Sequence, residues 1–65
     1  MTIFVSYYAF DKKRNIHYGN VVISNVDRMN CEEDIRTVEA TIVKHNEDKG
    51  ITNVVIINWK VLEAL

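Results

Sequence analysis

Hydrophobic and polar positions along the chain sort into three apolar runs and one amphipathic stretch. Thr2–Phe10 (TIFVSYYAF) is dense in β-branched and aromatic residues, the composition of a strand. Alternation puts Ile3, Val5, Tyr7 and Ala9 on one face and Phe4, Ser6, Tyr8 and Phe10 on the other, so neither face is polar. Asp11–Asn15 is charged and reads as a hairpin loop. Ile16–Asn25 is the second strand, with Val21 and Ile23 on one face and Tyr18 and Val22 on the other. Gly19 within it marks a bulge or the close approach of another backbone. Val26–Met29 is a connection.

The spacing of Ile35, Val38, Ile42 and His45, with Cys31 one turn earlier, predicts a helix from Cys31 to Lys49. Asn30 is the expected N-cap, with Glu33 closing a capping box. Glu32, Glu33 and Asp34 suit the positive end of the helix dipole. Glu32 and Arg36 are spaced to pair on the solvent side. Gly50 is the expected stop. Ile51–Val61 (ITNVVIINWKV) is the third strand, with Val54 and Ile56 facing one way and Val55, Ile57 and Trp59 the other. Leu62–Leu65 reads as a short tail, a turn of helix.

These elements predict a single α+β domain over residues 1–65, in the order β-β-α-β. A right-handed crossover sets the third strand beside the first. The sheet order is then 2-1-3, antiparallel throughout, with the most hydrophobic strand central. An order 1-2-3 would put Thr2–Phe10 on an edge. A helix of this span is about 28 Å long, the length of a strand of eight or nine residues, so it covers one sheet face. The other face keeps its apolar side chains. Phe4, Tyr8, Phe10, Tyr18, Val55, Ile57 and Trp59 are therefore the candidate interface.

Chain length sharpens this imbalance. A domain of 65 residues buries only about 60% of its unfolded surface and is marginal alone. Small domains compensate with disulfides, a metal or self-association. Cys31 is the only cysteine, which excludes an intrachain disulfide and suits a reduced, cytoplasmic protein. Homodimerisation follows as the expected remedy. Two copies would stack open face to open face, or pair their third strands edge to edge.

Candidate chemistry changes the picture little. Cys31, His17 and His45 are the only soft or imidazole ligands, and no CxxC, HxxxH or HxxE spacing joins them. Cys31 at the first helical position would feel the dipole that lowers a thiol pKa, but Glu32, Glu33 and Asp34 oppose a thiolate. Gly19 and Gly50 are isolated and form no phosphate loop. The expectation is a non-enzyme without cofactors or metal. The net charge of −1 speaks against general nucleic-acid or membrane binding. The apolar N-terminal run is too short to span a bilayer. One basic cluster, Lys12-Lys13-Arg14, stands where it could touch phosphates while Tyr8, Phe10 or Tyr18 stack on bases. The acidic clusters Glu32-Glu33-Asp34 and Glu47-Asp48 could instead mimic a phosphate backbone.

The segments FVSYYAF, YGNVVIS, EEDIRTVEATI and VVIINWKVLE give the chain a resemblance to the very short accessory proteins of bacteriophages and prophages. That resemblance rests on hydrophobic pattern and transfers no site residue. It implies a class of proteins that act stoichiometrically on a host factor. Some inhibit bacterial anti-phage systems, including CRISPR effectors and the Gabija, Thoeris and Hachiman systems, and several are obligate dimers. The functional expectation is a homodimeric protein-binding module directed at a host protein. A nucleic-acid-binding regulator using Lys12–Arg14 is one alternative. A structural subunit that adds its Ile51–Val61 edge to a larger sheet is the other.

Overall fold

The computed structural model describes residues 1–62. The elements are β1 (Thr2–Asp11), β2 (Ile16–Ile23), α1 (Glu32–His45), a 3₁₀ turn (Glu47–Lys49) and β3 (Ile51–Leu62). The sheet has the order β2-β1-β3, with both pairings antiparallel. This is the expected β-β-α-β arrangement with one helix. Its logic is hydrophobic: β1 carries the strongest apolar run and takes the position where both edges are paired. Ile3, Val5 and Ala9 are wholly buried there. They form the core with Met29, Val38, Ile42, Ile51 and Val54. Residues 63–65 of the expected helical tail lie outside the described residues, and Leu62 belongs to β3.

The hairpin between β1 and β2 is organised by Asp11. Its carboxylate accepts hydrogen bonds from the backbone N–H groups of Lys13 (2.8 Å) and Asn15 (2.9 Å). The Arg14 N–H closes the turn onto the Asp11 carbonyl at 3.0 Å. Arg14 occupies the left-handed region, with φ 64°. This is the three-residue hairpin geometry in which that position favours glycine. The β1–β2 register runs without interruption from Ile3↔Ile23 to Phe10↔Ile16, so Gly19 marks no bulge. It faces Tyr7, whose ring lies across it. A Cβ on Gly19 would stand 2.7 Å from the Tyr7 hydroxyl oxygen. The close approach is that of a side chain, not of another backbone.

The helix is shorter than the periodicity predicts and starts later. Cys31, not Asn30, is the N-cap, in extended conformation and with no side-chain cap bond to the backbone. The Asp34 carboxylate reaches back in place of Glu33, accepting from the Asn30 N–H at 3.0 Å and from the Cys31 thiol at 3.4 Å. The reciprocal bonds of a capping box are therefore absent, and only the acid at the third helical position reaches back, to the residue before the N-cap. Thr37 and Thr41 return their hydroxyls to the carbonyls of Glu33 and Thr37. At the far end the Asn46 side chain donates to the Ile42 carbonyl at 2.8 Å. The chain then tightens into the 3₁₀ turn and leaves through Gly50, left-handed at φ 76° as expected of a stop. Fourteen helical residues span about 21 Å, whereas twelve residues of β3 span about 40 Å. The helix therefore covers only about half of that strand's length.

Helix α1 sits over β3 rather than β2. A groove remains between it and β2, floored by Val21, Ile23 and Ile42 and walled by Thr37, Thr41 and His45. The connection from β2 to α1 closes part of this side. Val26 donates its N–H to the Met1 carbonyl at 2.9 Å, and Met29, which the pattern assigns to a loop, inserts into the core.

Candidate interaction surface

The β3 register decides which side chains share the uncovered face. From Phe10↔Asn53 to Tyr7↔Ile56 the two strands march together; then Ser6 pairs with Asn58 and Val5 with Trp59. Ile57 is the extra residue at this break. A bulge reverses the alternation beyond it. Trp59 consequently falls on the helix side, where it packs against the core beside Ile56 and Tyr7. The expectation that Trp59 belongs to the interface is corrected by this one inserted residue. A second shift, between Phe10 and Asp11, leaves Thr52 without a partner and returns Ile51 to the core.

The other candidates stand on the open face or at its border. Phe4, Tyr8 and Phe10 on β1 have Val22, Tyr18 and Ile16 beside them on β2, and Lys60, Val55 and Asn53 beside them on β3. Ile57 is 58% exposed at the bulge and Tyr18 is 78% exposed. Ile16, Val22 and Leu62 also expose large apolar surfaces here, although they are absent from the expected set. Val22 shares parity with Tyr18 in the sequence and was recoverable; Leu62 was not, because its face depends on the bulge.

The open face is not one continuous apolar patch. Asn20, Ser6 and Asn58 are paired in a row across all three strands. Ser6 and Asn20 are hydrogen-bonded side chain to side chain at 3.0 Å. This polar row separates an end with a single ring (Phe4, beside Val22, Lys60 and Leu62) from an end where three rings, Tyr8, Phe10 and Tyr18, cluster with Ile16 and Val55. At the aromatic end Tyr8 meets Phe10 edge to face, with centroids 5.7 Å apart, and leans on Tyr18 at 6.5 Å. Beyond Phe10, a depression is lined by Asp11, Lys12, Arg14, Thr52 and Asn53.

Charge is also divided between the two sides. Lys60 lies on the open face and Lys12, Lys13 and Arg14 are exposed at its hairpin end. The described acidic residues lie elsewhere. Glu32, Glu33, Asp34 and Glu39 are on α1, Glu47 and Asp48 are on the 3₁₀ turn, and Asp27 is in the connection. Asp11 is held on the helix side opposite Ile51. Its carboxylate accepts from the His17 ring at 2.9 Å. That bond, with the amide of Asn15, pushes its pKa down to about 2. The Asn30 amide likewise holds Asp34 below the usual carboxylate range.

The free edge of β3 is partly engaged. On β3 the Ile56 N–H donates to the Glu39 carboxylate at 3.1 Å, and the Trp59 N–H donates to the Asn58 side chain at 2.8 Å. Both donors are engaged and unavailable to an added strand, which weighs against pairing through this edge.

Cys31 is free and exposed, and its thiol is turned to Asp34. It is the N-cap rather than the first helical residue. Among the described residues no group of three His, Cys, Asp or Glu side chains is arranged to hold a metal ion. No helix among them is long and apolar enough to cross a membrane. Compared with known protein families, curated proteins and solved structures, the chain finds no match.

Proposed function

We propose that this chain is a non-enzymatic protein-binding module that works through its open sheet face, with a second copy of itself as one partner. The observation that carries the reading is the exposure of Phe4, Val22, Val55, Ile57 and Tyr18 on the side of the sheet opposite α1. Three strands at about 4.8 Å spacing and about 30 Å of usable length offer roughly 400 Å². A face-to-face pair would bury about 800–900 Å² in total, below the roughly 1,200–2,000 Å² of stable specific interfaces and in the range of weak, transient ones. Self-association is accordingly weak and reversible, leaving the face accessible to a tighter partner. The resemblance to short phage and prophage proteins supports a host protein in that role, bound stoichiometrically in the cytoplasm.

Sedimentation equilibrium over a range of concentrations tests the first part. A 7.6 kDa species persisting at high micromolar concentration refutes self-association. Phe4→Asp and Val22→Asp should abolish it without unfolding the chain. Affinity capture from bacterial lysate tests the second part; recovery of the bait alone across varied salt would count against a host target.

A further inference from the structure

The charge division and the polar row give the two ends of the open face different chemistry. The far end carries one ring, Phe4, among Val22, Lys60 and Leu62. At the aromatic end, Tyr18 is 78% exposed, so packing does not account for it, and it leans on Tyr8, which in turn meets Phe10. Lys12 and Arg14 line the depression beyond Phe10 together with Asn53. The one acid in this hairpin, Asp11, has its oxygens occupied by the Lys13 and Asn15 amides and the His17 ring. One exposed ring with two half-buried neighbours, a row of amide and hydroxyl side chains, and cations whose one neighbouring carboxylate is already hydrogen-bonded match the needs of a phosphate-linked planar base. The rings stack on its π-face, the cations contact phosphate, and Asn53, with the amide NH2 groups of Asn20 and Asn58 whose oxygens are already engaged, can read base edges.

We propose that the hairpin end of the open face binds single-stranded nucleic acid. Its bases rest on Tyr18, Tyr8 and Phe10, and its phosphates run from the Lys12–Arg14 hairpin toward Lys60. The span from the Phe10 row to the Phe4–Lys60 row is about 20 Å. Duplex is disfavoured because its π-faces are already stacked. The net charge of −1 does not oppose binding here, because the described acids other than Asp11 lie away from the open face and bulk salt screens them beyond about 10 Å. This site goes beyond the protein-interface reading, and salt separates the two. Face-to-face self-association brings cationic surfaces together and strengthens as salt rises, whereas phosphate binding weakens.

The test is fluorescence anisotropy of the full chain with labelled twelve-nucleotide oligo-dT and oligo-U, between 50 and 200 mM salt. Contacts to phosphate from Lys12, Lys13, Arg14 and Lys60 give a log–log slope of about −2 to −3, a roughly 15- to 60-fold loss over this range. Tyr18→Ala should weaken binding about fivefold or more. The Lys12→Ala/Arg14→Ala pair should flatten the slope by about 1.4. The Lys44→Ala/Lys49→Ala pair, equal in charge but on the helix side, should leave it unchanged. Unlabelled mononucleotide as competitor distinguishes a nucleotide pocket from a strand site; displacement at comparable concentration would overturn the strand. Absence of binding at 50 mM salt, equal binding of a duplex or a poly-glutamate peptide, or an unaltered affinity in Tyr18→Ala would each overturn the proposal. None of these results touches the sedimentation test of self-association.

Discussion

Replacing Gly19 by alanine inserts a methyl group where the Tyr7 ring already lies. The new Cβ would stand 2.7 Å from the Tyr7 hydroxyl oxygen and 2.8 Å from its Cζ, well inside van der Waals contact. The ring cannot simply swing inward, because Tyr7 packs against the buried cluster of Ile3, Val5 and Ala9. Overpacking of this kind costs about 1–3 kcal/mol. Alanine recovers about 0.5–1 kcal/mol of the backbone entropy that glycine loses in a strand. The net loss for Gly19→Ala is therefore about 0–2.5 kcal/mol, centred near 1 kcal/mol. Each kcal/mol lowers Tm by roughly 4–8 °C in a domain this small. In a Tyr7→Leu background the obstruction is gone, and the same substitution becomes neutral or stabilising. Urea unfolding followed by the fluorescence of Trp59, at fixed protein concentration, measures all four corners of this double-mutant cycle. A coupling energy near zero would refute the account of Gly19 as the seat of the Tyr7 ring.

The bulge at Ile57 predicts opposite outcomes for neighbouring apolar residues: Trp59→Ala should destabilise the monomer by about 2–3 kcal/mol, while Ile57→Ala stays within about 0.5 kcal/mol, both read by thermal unfolding followed by circular dichroism. Equal effects would mean that the strand alternates without interruption. Arg14→Gly relieves a left-handed residue and should stabilise the fold by about 0.5–1 kcal/mol, seen as a higher Tm. Asp11 titrates from an ordinary 3.8 down to about 2 in the fold. Its contribution is fully present above about pH 4 and is lost as pH falls toward 2. Asp11→Asn should flatten the stability–pH curve in that window, and an unchanged curve would remove the Asp11–His17 bond as its cause.

The element order, the central place of β1 and the two-sided apolar character of the sheet are legible in Thr2–Phe10 and Ile51–Val61. Alternation and β-branched composition are local properties, and a strand this apolar on both faces is most stable with neighbours on both edges. The helix was legible in type but not in extent. Asn30 and Cys31 compete for the cap, and the outcome rests on which carboxylate reaches back; Asp34 does so because it stands at the third helical position from Cys31. Met29 lies in a stretch with no period at all, so nothing local marks it as core.

The candidate surface divides in the same way. Phe4, Tyr8, Phe10 and Tyr18 follow from strict alternation on strands whose mutual register has no break in β1–β2. Trp59 does not, because a bulge is a property of two strands together. Whether Ile57 is accommodated as an extra residue depends on how β3 must twist to keep Val54 and Ile56 under the helix and Val5 opposite Trp59. The sidedness of charge is likewise absent from a net value of −1. It arises when the crossover carries α1, with its run of carboxylates, to one side of the sheet and leaves Lys60 on the other. The sequence by itself therefore determined the elements, their order and the presence of an uncovered face. Only the tertiary structure decided which side chains occupy that face, because residue parity is conserved along a strand only until the partner strand breaks register.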